Sequence, residues 1–353
     1  MKSKFVSVCL FGMTMFLFAC TDNSAPKIQE PVDSPVVKDE EPVRIGFSMD
    51  TLVEERWLKD RELFKEAVEN LGAEVEIVAA HGDDALQISQ AETLIQSGID
   101  LLVIVPHNAA ATAAIVHKAH LAGIQVIAYD RLVKNAEVDM YISFDNEQVG
   151  KMQAEAMTAL VPKGNYVFIG GAITDNNAHL LKEGVFKVLQ PYIERGDIHV
   201  VYDQWTKDWT PANAQANMEQ AIGTTNGQID AVIAANDATA GGAIQALENH
   251  GLASQIPVTG QDADLAGVQR IVVGTQTMTV YKPIQILSNK VAEIAVAMAK
   301  GEVVTTNQQI NNGKKEVPSI LLSPISVDLN NLESTVIKDG FHVAEDVYGK
   351  VSE

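Results

Sequence analysis

Asp130 and Arg131 stand side by side at the end of an almost uninterrupted apolar run, Gly123-Ile-Gln-Val-Ile-Ala-Tyr-Asp130-Arg131. A carboxylate accepts hydrogen bonds and a guanidinium donates them, so the pair suits a polar, uncharged ligand. Similar groups recur along the chain: Arg56, Asp145-Asn146, Asp175-Asn176-Asn177, Asn236-Asp237, Asp262, Asp264 and Lys282. A hydroxyl donates once and accepts twice, so Asp can take its proton while Asn, Arg and Lys fill its lone pairs. A sugar also has apolar C–H faces, and Trp57 and Trp209 are candidates to cover them. Trp209 lies in Trp205-Thr-Lys-Asp-Trp209-Thr-Pro211, which has the composition of a loop. Blander roles compete at each position. An Asp or Asn after a strand often caps the next helix, as Asp145, Asp237 and Asp264 could. Trp57 could be core, and Asp130-Arg131 could be a structural ion pair.

The elements that position these groups alternate. Strand patterns at 43–47, 75–79, 101–105, 124–130 and 140–143 are separated by helical patterns at 55–71, 84–97 and 109–122. The series then restarts, with strands at 165–171, 198–202, 231–235, 257–260 and 277–281 and helices at 178–189, 212–222 and 240–249. Apolar strands buried on both faces and alternating with helices imply parallel sheets with right-handed crossovers. Two such series predict two Rossmann-like, doubly wound α/β domains. Ligands of such sheets sit beyond the carboxyl ends of the strands, where the polar groups above fall. A long helix at 283–300 can return to pack on the first domain, which makes a hinge.

With 46% hydrophobic and 20% charged residues, the 353-residue chain has the composition of a globular protein and the length of two domains. Its formal net charge of -20 argues against nucleic acid. No Gly-x-x-x-x-Gly-Lys loop and no Gly-x-Gly-x-x-Gly after the first strand is present, so no nucleotide cofactor is expected. His117 and His120 are the only histidines at metal-like spacing, and they lie on a helix, where that spacing is common by chance. No metal, cofactor or catalytic residue is expected.

Lys2, Lys4 and the apolar stretch 5–18 have the form of a secretion signal, too short for an ordinary membrane span. Leu17-Phe18-Ala19-Cys20 resembles a bacterial lipobox with Cys20 as the lipidated residue, although Phe18 replaces the usual small residue. Plain secretory cleavage is the alternative. Cys9 and Cys20 are the only cysteines, so no disulfide is expected in the mature chain. Residues 21–42 are rich in proline and acid and read as an extended tether.

The segments Glu55-Arg-Trp-Leu-Lys-Asp-Arg61, Ala128-Tyr-Asp-Arg131, Tyr141-Ile-Ser-Phe-Asp-Asn146 and Asp175-Asn-Asn-Ala178 resemble the ribose-binding type of substrate-binding protein from bacterial sugar ABC importers. So do Asn236-Asp-Ala-Thr-Ala-Gly-Gly242, Gly260-Gln-Asp-Ala-Asp-Leu265 and Gly274-Thr-Gln-Thr-Met-Thr-Val-Tyr-Lys-Pro283. The resemblance runs from Val43 to about His342. It implies a periplasmic binding protein of type 1, not an enzyme, whose two lobes are joined by three crossings and close on a sugar. It is strongest to members that take D-xylose, which makes that pentose the expected ligand. Ligand contacts then fall on Arg56, Trp57, Asp130, Arg131, Asp175, Asn177, Trp209, Asn236, Asp262 and Lys282. The implied partners are an importer permease with its ATPase, or alternatively a chemoreceptor or sensor kinase. A monomer is expected, outside the cytoplasm and tied to the membrane only by its lipid. The expected layout is signal 1–19, tether 20–42, N-terminal lobe 43–147 and about 283–308, and C-terminal lobe 148–282 and about 309–345.

Overall fold

The computed structural model describes residues 41–306 and 308–349. The signal segment, Cys20 and nearly all of the tether lie outside the described residues.

The N-terminal lobe starts with β1 (Arg44–Met49), α1 (Glu55–Asn70), β2 (Glu74–Ala79), α2 (Asp84–Gln96), β3 (Leu101–Ile104), α3 (Ala113–Leu121), β4 (Gln125–Tyr129) and β5 (Met140–Phe144). The five strands pair in parallel in the order β2-β1-β3-β4-β5. That is a doubly wound sheet, with its reversal of winding between β1 and β3. β3 (Leu101–Ile104) is buried at every position, as a parallel strand covered on both faces must be.

The C-terminal lobe repeats the plan. It contains α4 (Asn146–Leu160), β6 (Gly164–Ile169), α5 (Asn176–Glu194), β7 (Ile198–Gln204), α6 (Pro211–Thr225), β8 (Ala231–Ala234), α7 (Asp237–Asn249), α8 (Leu265–Val273) and β9 (Thr279–Tyr281). β7-β6-β8 is a parallel sheet. The apolar stretch expected as a strand at 257–260 extends it through single bridges, Val258 to Val232 and Thr259 to Met278.

The chain crosses between lobes three times. After β5 it enters α4, and after β9 it returns through α9 (Ile284–Ala299), which packs against α1, β3, β4 and β5. Next come β10 (Gln308–Asn311) and β11 (Glu316–Leu322). The chain then crosses back to β12 (Ile325–Val327), antiparallel to β9.

One boundary differs from expectation. The expected layout places residues 309–322 in the C-terminal lobe, but β11 pairs in parallel with β5 and carries β10 on its outer edge. They complete the N-terminal sheet. Ile310 and Val317 pack with the α2 and α3 side of that lobe, where their apolar groups leave water.

Each sheet lies between two apolar layers. On the α1 and α9 face of the first sheet, Phe47, Phe64 and Tyr129 meet with ring centroids 4.6–6.0 Å apart. Such aromatic pairs add about 0.5–1.5 kcal/mol each beyond simple burial. The Tyr129 hydroxyl donates to Asp60 and meets Ser288 Oγ of α9 at 2.9 Å. Tyr129 thus anchors the end of β4, one residue before the first polar group of the cleft.

Candidate ligand-binding site

All ten residues expected at the site line one cleft of about 330 Å³ between the lobes, together with Glu54 and Gln261. The N-terminal lobe supplies Glu54, Arg56 and Trp57 from the start of α1, and Asp130 and Arg131 from the end of β4. The C-terminal lobe supplies Asp175 and Asn177 at the start of α5, and Trp209 from a short turn before α6. Asn236 follows β8, Gln261 and Asp262 follow the bridged segment at 258–259, and Lys282 follows β9.

Asp130 and Arg131 are not an isolated pair. The two side chains diverge. Asp130 accepts from Arg56 Nη2 at 3.1 Å and, across the cleft, from Asn177 Nδ2 at 3.0 Å. Arg131 donates to Asp50 at 2.6 Å in its own lobe and to Asp175 at 2.8 Å in the other. Arg56 is shared among Asp60 at 3.0 Å, Asp130, and Asp262 of the opposite lobe at 3.3 Å. Lys282 lies 3.5 Å from the same Asp262 oxygen. Buried charges persist only when paired this closely, and removing one partner leaves the other uncompensated at a cost of about 3–5 kcal/mol.

Burial raises the Asp130 pKa, but Arg56, Lys282 and Arg131 outweigh it and hold the carboxyl below its usual range. At Asp175 burial wins over Arg131, and the carboxyl is raised.

Two of the blander readings coexist with a place in the cleft. Asp175 caps α5 by accepting from Asn177 N at 2.8 Å, and its other oxygen takes Arg131. Asn236 caps α7 in a capping box with Thr239, which leaves the Asn236 amide nitrogen for a ligand. By contrast, Asp145 caps α4 and Asp237 is buried outside the cleft lining, among Gln276, Thr279 and the Asp264 amide.

Trp57 is both core and site: it is 3% exposed, lines the cleft, and lies under the Arg56 and Arg131 guanidinium groups at 4.3 and 5.0 Å. Trp209 sits on Gly171, where an added Cβ would come within 2.1 Å of the indole ring, so only glycine fits there. Backbone strain gathers at the same place. Asp130, Trp209 and Asp262 have positive φ values of 59°, 57° and 89°. The Asp130 carbonyl is held by Tyr141 Oη, Ser143 Oγ and Asn177 Nδ2 at 2.5–3.1 Å, which fixes the turn.

Sequence reasoning missed Glu54, Gln261 and, behind Arg131, Asp50 with its partner His107. Asp50 follows β1 as Asp130 follows β4, so the same strand-end signal pointed to it. Glu54 and Gln261 adjoin named residues but carried no pattern of their own.

The sequence profile of the periplasmic binding protein domain matches residues 45–303, most of the chain. The chain belongs to the periplasmic binding protein family. Among its relatives in this family, the D-xylose-binding periplasmic protein of Escherichia coli strain K12 is 52% identical over 300 residues, 85% of this chain and 91% of that protein. The protein of the same description from Haemophilus influenzae is 51% identical over 306 residues, 87% of this chain and 92% of that one. A solved carbohydrate-transporter solute-binding protein from Chloroflexus aurantiacus, in complex with D-glucose, superposes with a TM-score of 0.82 at 32% identity. That match covers 87% of this chain and 98% of the other. As a periplasmic binding protein of type 1 fold, this chain binds and does not catalyse, and it works outside the cytoplasm.

Proposed function

We propose that this protein captures D-xylose in the cleft between its lobes and delivers it to the permease and ATPase of an ABC importer. The observation that carries this reading is the alternation of acceptors and donors from both lobes around one cleft over an aromatic floor: Asp130, Arg131, Arg56 and Trp57 facing Asp175, Asn177, Asn236, Asp262 and Lys282. The names of the two relatives given above support the choice of sugar. The three crossings act as the hinge, and a sugar held by groups of both lobes favours their closed arrangement. A sugar with an inverted or missing hydroxyl leaves a buried charged group unpaired, which is the source of specificity.

We also propose that the protein is held at the membrane through lipidated Cys20, so that Cys20→Ser releases it to the soluble fraction; retention of that variant on membranes would refute the anchor. A thermal-shift panel of pentoses and hexoses tests the sugar. Ligand at a hundred times its Kd stabilises the folded state by about 2.7 kcal/mol. D-Xylose should raise the melting temperature most; no shift with D-xylose, alongside a shift with another sugar, would overturn the assignment.

A further inference from the structure

A second, outer chamber of about 640 Å³ abuts the cleft and opens toward solvent past Val53 and His81. The two cavities share three lining residues, Glu54, Arg131 and Trp209, which therefore form the partition between them. Arg131 is fixed by the Asp50 and Asp175 carboxylates, and Trp209 by its seat on Gly171. Glu54 is different. It precedes α1 as N-cap but makes no side-chain cap bond, and its buried Oε2 has no hydrogen-bond partner among the described residues. Trp209 Nε1 is likewise buried and unpartnered. An unsatisfied buried polar atom costs about 1–3 kcal/mol, so two of them on one wall need a reason. Their chemistry is complementary: a single hydroxyl can donate to Glu54 and accept from the indole N–H.

We propose that Glu54 is a specificity-determining residue, the end wall of the sugar site, which accepts a hydrogen bond from the sugar's last hydroxyl and bars a longer sugar from the outer chamber. The inference rests on the pentose reading above. D-Glucose is D-xylose with a hydroxymethyl group added to the ring, and that group is what such a wall excludes. Burial, opposed by Arg131, raises the Glu54 pKa.

The test is calorimetric titration of D-xylose and D-glucose into the parent protein and the variants Glu54→Ala, Glu54→Ser and Glu54→Gln. Serine is a favoured N-cap residue, so Glu54→Ser removes the wall while supporting α1. Loss of one hydrogen bond to a charged group corresponds to about tenfold in affinity. Glu54→Ala and Glu54→Ser should bind D-xylose about tenfold more weakly and shift the glucose-to-xylose affinity ratio toward glucose by about tenfold, while Glu54→Gln keeps the parent ratio. A ratio unchanged in both Ala and Ser variants would overturn the role of Glu54. A parent that fails to bind D-xylose would instead overturn the functional reading.

Discussion

At the scale of single residues, the site is built from charges that hold one another in place. Asp50 holds the Arg131 guanidinium from behind, as Asp175 holds it from the other lobe, and Asp50 is itself bonded to His107 Nδ1 at 2.9 Å. The hydrogen bond to Asp50 raises the His107 pKa above its ordinary 6.5. A histidine whose pKa is raised on folding contributes stability that is complete below about 6.5 and fades as pH rises through the higher folded value. Urea unfolding of the parent at about pH 5.5 and about pH 8.5 should therefore show a larger loss of stability with rising pH than His107→Gln shows. Equal losses in the two proteins would mean that the Asp50–His107 contact does not support the site. Asp50 was legible in principle, as an acid at the end of an apolar strand. Glu54 and Gln261 were not, because one acid in a run of charges and one amide beside an acid carry no period or spacing to distinguish them.

At the scale of elements, the same side chains end strands, start helices and line the cleft. Helix starts leave unsatisfied N–H groups, and the residues that satisfy them, Asp and Asn, are also the residues suited to hydroxyls. That overlap is why cap and ligand contact could not be separated from sequence at Asp175 and Asn236. It also provides a way to separate them by mutation. Asn236→Asp keeps a good N-cap but loses the amide donor, whereas Asn236→Ala loses both. Thermal or urea unfolding should show Asn236→Ala destabilised by about 1 kcal/mol and Asn236→Asp close to the parent, with D-xylose binding weakened in both. Full binding by Asn236→Asp would remove this amide from the ligand's contacts. Most regular elements of both lobes were legible because buried parallel strands read as apolar runs and most helices end at a glycine, whereas α4 and β12 carried no such signal and α8 was missed although it ends at Gly274. The placement of β10 and β11 was not legible. β10 has only four residues, and the pairing of β11 with β5 across a long stretch of sequence is decided by packing that no local pattern records.

At the scale of the whole molecule, two lobes of matching topology are tied by three crossings and meet through contacts beyond the cleft's ion pairs. Ala109 N donates to Thr174 O at 3.0 Å on one side of the cleft. On the hinge side, Leu265 N donates to Glu55 at 2.8 Å and Lys59 Nζ to Phe341 O at 3.0 Å. These contacts join residues of opposite lobes. Small-angle scattering of the sugar-free protein should show a radius of gyration that falls when D-xylose is added. A radius indifferent to saturating sugar would argue against hinge closure and for a rigid cleft.

The central claim is that this cleft binds D-xylose through charged groups of both lobes. Asp262 tests it most directly, because it comes from the C-terminal lobe and is bonded to Arg56 of the other. Calorimetric titration should show saturable binding of D-xylose by the parent protein. Asp262→Ala should bind at least about tenfold more weakly, the loss of about one hydrogen bond to a charged group. D-Xylose affinity unchanged by Asp262→Ala, or no binding by the parent, would contradict the account.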